Sequence, residues 1–537
     1  MFSYDMAKRG GETLYEYLYR CIRHDIAHGV VPAGQKLPSK RALAGHLGVS
    51  LVTVEAAYRQ LVAEGYVISR ERSGYFVCEL APAEKIGLLS DGLPSSLRAG
   101  SGESPLGFEA HSDGALLGSQ VSIDGPTLGV RAAADGLALD SQAAAGRSLL
   151  DSESAVDGAE FDSPVLADFT RGDAATKIFP YSAWAKTVRR VLSDSTPESL
   201  AQASTAAGSP QLRRAIVNYL REYRGMSVSP DQIIIGAGSQ VLYQLVVQLL
   251  GRQKVYAIET PGYPLLAKMY AALNAKSCLI PVDEQGANVG TLAESNADVL
   301  HVMPSHQFPT GVVMSATRRR ELLNWTREAS GRFIIEDDYD SEFRMRGRPV
   351  ATLFGIDAAG KVLYLNSFAK SLGDAFRIAY LVLPESLTER FGVELGFYSN
   401  TVSPLDQLAL ARFIEEGHYE RHVNRLRTHA RRSQDALVET LRKGPLANRL
   451  RFQGLGGGLH FVMAFEDARS ECELADLARQ SGLGLSPMGS FVTAEPAAGL
   501  PKPPASCNGM PRFVLRYDGS SESAAEDAAR ALESAWS

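Results

Sequence analysis

A lysine, Lys370, lies in the run Asn366-Ser367-Phe368-Ala369-Lys370-Ser371-Leu372, directly after Val362-Leu363-Tyr364-Leu365. That apolar stretch reads as a buried strand. A hydroxyl, Ser367, precedes the lysine by three residues, and a guanidinium, Arg377, follows it by seven. An amine in such company suits Schiff-base chemistry beside a phosphate held by a serine and an arginine. Alone the pattern is weak, because most lysines sit on solvated surfaces.

A carboxylate cluster, Glu336-Asp337-Asp338-Tyr339-Asp340, follows the strand-like Phe333-Ile334-Ile335. Acidic residues just after a buried strand sit at the carboxyl edge of a parallel sheet, where open α/β folds place ligands. Pyridoxal phosphate (PLP) needs a carboxylate against its pyridinium nitrogen to act as an electron sink. The plainer readings are a solvated acidic turn or a metal site. A metal is disfavoured because no nearby His or Cys has ligand spacing. Upstream, Ile233-Ile234-Ile235 runs into Gly236-Ala237-Gly238-Ser239-Gln240 and the apolar helical stretch Val241 to Leu250. Strand, glycine turn and helix N-terminus make an anion cradle, although such a turn alone is more often a tight bend. Glu259-Thr260-Pro261-Gly262-Tyr263-Pro264 and Pro304-Ser305-His306-Gln307-Phe308-Pro309-Thr310-Gly311 follow two further expected strands.

In this order, the segments from Asp168 onward resemble a fold-type-I, PLP-dependent aminotransferase. The wording of the segments around Ser305 to Gly311 and Glu336 to Phe343 resembles one branch, the MocR-type transcriptional regulators. The resemblance implies a mixed, mostly parallel sheet between helices, with a small C-terminal α+β subdomain. It also implies that Lys370 carries the internal aldimine and that Asp337 pairs with the pyridinium nitrogen. Tyr339 would bond the 3′-oxygen and Tyr263 would stack on the ring. Gly238, Ser239, Gln240, Ser367 and Arg377 would hold the phosphate. Arg516, in Phe513-Val514-Leu515-Arg516-Tyr517, would grip a substrate or effector carboxylate through two parallel bonds.

The chain departs from the family pattern in places. Ala203-Ser204-Thr205-Ala206 stands where a tyrosine-glycine-aspartate-proline run is usual, so the aromatic residue that reaches toward a neighbouring subunit's cofactor is missing. Phe368-Ala369-Lys370 replaces Phe-Ser-Lys, and Gly373-Asp374-Ala375 replaces a proline-bearing turn. Weaker cofactor affinity and at most residual or half-reaction transaminase activity are expected.

The elements that lead into this domain have a different character. Leu14, Leu18, Ile22 and Ile26 repeat at helical spacing. Gly34 to Ser39 reads as a turn ending in a helix N-cap, followed by a short helix from Lys40 to Leu47. Gly48-Val49-Ser50 is a second capped turn, and Val54, Ala57, Tyr58, Leu61 and Val62 mark the buried face of a third helix. Gly65-Tyr66-Val67-Ile68 and Gly74-Tyr75-Phe76-Val77 read as a β-hairpin wing. Residues 11–78 therefore form a winged helix-turn-helix, resembling the GntR type, whose third helix enters the major groove. Lys36, Ser39, Lys40, Arg41, Ser50, Leu51, Thr53, Arg59, Arg70 and Arg72 are the expected DNA contacts. Leu51 takes the place of a common arginine, which exchanges a bidentate guanine contact for a thymine methyl contact. A small protein-interaction module is the alternative reading of this segment.

Composition bounds the rest. At 537 residues the chain exceeds one hydrophobic core, so two or more domains are expected. Residues 1–78 hold ten basic against seven acidic side chains, whereas residues 79–163 hold fourteen acidic against four basic. The formal charge of -6 hides that asymmetry. The segment 79–163, rich in Gly, Ala, Ser and Asp, reads as a disordered linker, with the aminotransferase-like domain over 164–537. Cys21, Cys78, Cys278, Cys472 and Cys507 lack paired spacing, which suggests reduced thiols in a cytoplasmic protein. No apolar run reaches membrane-spanning length. The ten histidines show no ligand cluster, and His460 reads as a packed strand residue.

Three functions compete: a DNA-binding regulator that senses PLP or an amino compound, an aminotransferase with an accessory DNA-binding domain, and a chemically inert PLP-carrying scaffold. The winged helix and its long tether favour the first. The partners expected are operator half-sites in duplex DNA, an amine or amino-acid effector, and a second copy in a head-to-tail homodimer.

Overall fold

The computed structural model describes Tyr4, Met6 and residues 13–27, 30–63, 66–70, 73–78, 165–172, 174–344, 351–492, 510–517 and 521–537. The expected linker and Arg72 lie outside these residues.

Three helices, α1 (Leu14–Ala27), α2 (Lys40–Leu47) and α3 (Leu51–Ala63), precede the hairpin of β1 (Val67–Arg70) and β2 (Gly74–Val77). Ser39 caps α2 by accepting the Ala42 N–H, and Gly48 ends it in the left-handed conformation at φ 65°. That glycine matters because a side chain there is strained. Ser50 accepts the Thr53 N–H at the start of α3. Leu18, Ile22, Leu43, Val54, Tyr58, Leu61 and Val67 form a shared core. The expected winged helix is present, with Val67 opposite Val77 and Arg70 opposite Gly74.

The larger unit is built on an eight-stranded sheet. Its strands in chain order are β3 (Ile233–Gly236), β4 (Val255–Thr260), β5 (Lys276–Asp283), β6 (Gly286–Ala287), β7 (Val299–Val302), β8 (Phe333–Asp337), β9 (Val362–Ser367) and β10 (Ala379–Val382). In space they run β3-β10-β9-β8-β7-β4-β5-β6. β9, β8, β7, β4 and β5 are mutually parallel, while β10 is antiparallel to both neighbours. The strands are apolar on both faces because helices cover both, as parallel sheets require. Among these helices are α4 (Ser239–Leu250) and the short α5 (Ala369–Leu372). Leu242, Val246, Ile335 and Leu363 pack on one side, and Leu212, Leu220, Ile235 and Tyr364 on the other.

A second, antiparallel sheet contains β11 (Leu450–Gln453), β12 (His460–Phe465), β13 (Ser486–Pro487) and β14 (Arg512–Arg516), ordered β11-β12-β14-β13. Helices α6 (His418–Lys443) and α7 (Glu522–Trp536) pack with it around Leu437, Phe461, Phe513 and Trp536. This is the expected small α+β subdomain. No helix among the described residues is long and apolar enough to cross a membrane.

Candidate functional site

The expected site residues converge on one edge of the large sheet. Ala379 of β10 is flanked by Gly236 on one side and Ser367 on the other. This register brings the glycine turn, Ser367 and the lysine helix α5 together. Asp337 lies beside Leu365 at the carboxyl end of β8, one strand further on. Lys370 is half-buried on α5.

The glycine turn is shaped as a cradle. Gly238 has φ 87°, and Ser239 begins α4 with its backbone at the positive end of the helix dipole. A β-carbon on Gly238 would lie 2.9 Å from Nη2 of Arg377, so glycine is what lets the guanidinium close over the turn. Arg377 itself adopts φ 47°, and Thr401 accepts the Ala237 N–H at 2.9 Å. Gln240 is half-buried in the first turn of α4.

Asp337 is 3% exposed. Its Oδ2 accepts the Tyr243 hydroxyl proton and lies 3.5 Å from Nε2 of His301, whose Nδ1 contacts the Tyr270 hydroxyl at 2.8 Å. Burial, and then the Asp337 charge, pushes the Tyr243 phenol well above its ordinary range, so it stays a donor. Oδ1 of Asp337 is buried with no hydrogen-bond partner. A bare carboxylate oxygen inside a protein costs free energy, which makes it a site waiting for a donor. A protonated ring nitrogen would supply one.

Phe308 gathers the remaining site residues. Its ring centre lies 6.4 Å from those of both Tyr263 and Tyr339, and the Arg516 guanidinium stands 5.3 Å above its face. The other acids of the Glu336 run have structural partners. Asp338 is bonded by Arg224 and by Tyr364 at 2.7 Å, and Glu336 accepts the Leu353 and Phe354 N–H groups at 2.9 Å. Glu342 accepts from Tyr219 at 3.1 Å and Asn366 at 3.3 Å. Burial, reinforced by Asp338, raises Glu342 to about 7. Burial raises Glu259, which accepts the Met303 N–H, to about 8.

Sequence reasoning missed Tyr243, His301, Phe308 and Thr401. Tyr243 and His301 lie in apolar runs without local chemical signal. One expectation is corrected outright: His306, Asp340 and His460 do form a buried cluster of metal-ligand types, because a loop and two separate sheets bring them together.

On the winged helix, Lys36, Ser39, Arg41, Ser50, Leu51, Arg59 and Arg70 are exposed. Lys40 is held by Glu55 at 2.9 Å, and Thr53 is half-buried with its hydroxyl 2.8 Å from that of Ser50. Leu51 is 41% exposed at the tip of α3, as a methyl-reading side chain requires.

Residues 14–77 match the family model for bacterial regulatory proteins of the gntR family, and residues 169–495 match that for aminotransferase class I and II. The chain is 32% identical over 97% of its length, and 96% of the relative's, to the uncharacterized HTH-type transcriptional regulator YdeL of Bacillus subtilis. It is 30% identical over 90% of its length, and 89% of the relative's, to the probable rhizopine catabolism regulatory protein MocR of Rhizobium meliloti. The chain belongs to the MocR-type transcriptional regulators. Its aminotransferase fold is shared with the multiple substrate aminotransferase of Thermococcus profundus, at TM-score 0.59 and 22% identity over 70% of this chain and 91% of the other. In this MocR-type regulator, an enzyme's frame is thus joined to a GntR-type head.

Proposed function

We propose that this MocR-type regulator binds duplex DNA through its winged helix and PLP at the edge of the large sheet, with PLP, an amino compound or both as its signal. The observation that carries the reading is the buried, unpartnered Oδ1 of Asp337, seated beside a glycine cradle capped by Arg377. These residues fit the cofactor. PLP supplies an aldehyde that condenses with primary amines and a ring that withdraws electrons.

The chain's own groups divide the work. Ser239 and Gln240 would offer backbone N–H groups to the phosphate, while Gly238, its own N–H bonded to the Gly236 carbonyl at 2.8 Å, would shape the turn; Ser367 and Arg377 would add a hydroxyl and a positive charge. Asp337, fixed by Tyr243 and His301, keeps the proton on the ring nitrogen. Tyr339 would bond the 3′-oxygen, Tyr263 would stack on the ring, and Lys370 would supply the amine. Arg516 engages an effector carboxylate, and Phe308 holds that guanidinium in place by a cation–π contact. A second copy joined head to tail would bring two winged helices to two half-sites, each arm raising the effective concentration of the other. A cytoplasmic location accords with this role. Turnover is at most residual, so ligand binding acts by shifting the population between two dimer shapes.

The test is spectral and genetic together. Purified protein given PLP should gain a visible absorbance that borohydride discharges while fixing the label on Lys370. Lys370→Ala should lose that label and lose effector-dependent changes in DNA mobility, while still binding DNA. A Lys370→Ala protein that answers effector normally defeats the scheme. Steady transamination with no DNA shift, with or without PLP, would favour the enzyme reading instead.

A further inference from the structure

His306, Asp340 and His460 offer ligand atoms that all lie within 4.8 Å of one another, and the three are 5%, 2% and 2% exposed. His306 comes from the loop after β7, Asp340 from the turn after β8, and His460 opens β12 of the small sheet. We propose that they form a site for a divalent transition-metal ion of the zinc class, which joins the large sheet to the small one. None of the three is assigned to PLP, and the site adjoins the proposed cofactor site through Tyr339, whose hydroxyl lies 3.5 Å from Nδ1 of His306.

Four observations carry it. Nδ1 of His306 lies 2.8 Å from Oδ2 of Asp340, and the two imidazole centres are 4.3 Å apart at 45°. Nε2 of His306 and Nε2 of His460 are both buried with no hydrogen-bond partner. Two orphaned ring nitrogens in one small space each carry a desolvation cost that a shared cation would remove. The backbone of Pro309 and of Gln307 meets the His460 ring, whose Nε2 stays without a partner. A ring nitrogen bonded to a backbone carbonyl is the usual support of a metal-bound histidine.

The backbone is shaped around the cluster as well. A β-carbon on Gly458, at φ 71°, would come 2.0 Å from Nδ1 of His306 and 2.5 Å from Asp340 Oδ2. Tyr517 pins that glycine through a 2.6 Å bond to its carbonyl.

Chemistry selects the metal class. Two imidazoles and one carboxylate suit zinc, cobalt or nickel, with a fourth position left for water or ligand. Magnesium and calcium prefer more oxygen ligands. Arg516 pairs with His460 across β12 and β14 and opposes any cation nearby. The Asp340 carboxylate, itself one of the three ligands, offsets it.

The experiment uses full-length protein, stripped by chelator and titrated with Co²⁺ alone, then with Zn²⁺ alone, with bound metal measured directly. The expected result is one metal per chain and a visible ligand-field band without the near-ultraviolet absorbance of thiolate ligation. His460→Ala should weaken binding at least tenfold, and so should the milder Asp340→Asn, each with unchanged circular dichroism. No bound metal in the wild type, a thiolate-type spectrum, or full binding by a folded Asp340→Asn protein and a folded His460→Ala protein would overturn the site. Cofactor colour is not part of the readout, so failure here leaves the PLP reading untouched.

Discussion

Gly238 turns its open side to Arg377: a β-carbon there would stand 2.9 Å from the guanidinium. The proposed phosphate cradle therefore depends on a missing side chain as much as on a charge. Gly238→Ala adds both that collision and the strain of φ 87°. The expected outcome is PLP affinity reduced at least tenfold, read by absorbance titration, with the winged helix still binding DNA.

Tyr243 is the clamp on Asp337. Tyr243→Phe leaves Oδ2 as well as Oδ1 short of a donor, at a cost of about 1–3 kcal/mol for a buried acceptor. The melting temperature of the cofactor-free protein should fall by several degrees. His301 alone should not restore it, being 3.5 Å away.

Glu342 makes stability depend on pH. Its folded value of about 7 exceeds the ordinary 4.5, so the folded chain holds a proton that the unfolded chain releases. Stability from this group is full below about pH 4.5 and is lost as pH rises through 7, by a few kcal/mol in all. Glu259, raised to about 8, adds a loss of the same sign reaching slightly higher. Glu342→Gln should keep the Tyr219 and Asn366 bonds. It should also flatten the denaturation midpoint between pH 5 and 7, as measured by urea titration across that range.

Arg70 sits at the end of β1, its guanidinium 4.8 Å above the Phe76 ring, exposed and without a carboxylate in the described contacts. Arg70→Ala should reduce the slope of log affinity against log salt by about one, uniformly across duplex sequences. Leu51→Ala should leave that slope alone and lower affinity for thymine-bearing sites.

Much of this was legible because local chemistry and local structure coincide. Ser39, Gly48 and Ser50 mark helix ends by backbone need, and α2 spans Lys40–Leu47 as expected. Asp337, Ser367 and Gly238 stand at strand ends, which is where a parallel sheet presents ligands. The unread part is long-range. Tyr243 sits in a run that looks like ordinary helix core, and only the fold turns it toward β8. His306 and His460 are separated by more than a hundred residues, so no spacing rule could pair them. Phe308 reads as one word of a motif, yet in space it is the hub between Tyr263, Tyr339 and Arg516. Lys40, expected at the DNA, is held by Glu55, a partner that sequence spacing did not disclose.

The proposed amine and the glycine turn of its berth rest on different supports. Lys370 stands on a short helix between Ser367 and Arg377, whereas the glycine turn of the proposed cradle belongs to another strand and the start of α4. A lineage can lose one without dismantling the other. On the proposed reading, a change at the lysine helix can silence the chemistry while the glycine turn goes on holding an anion.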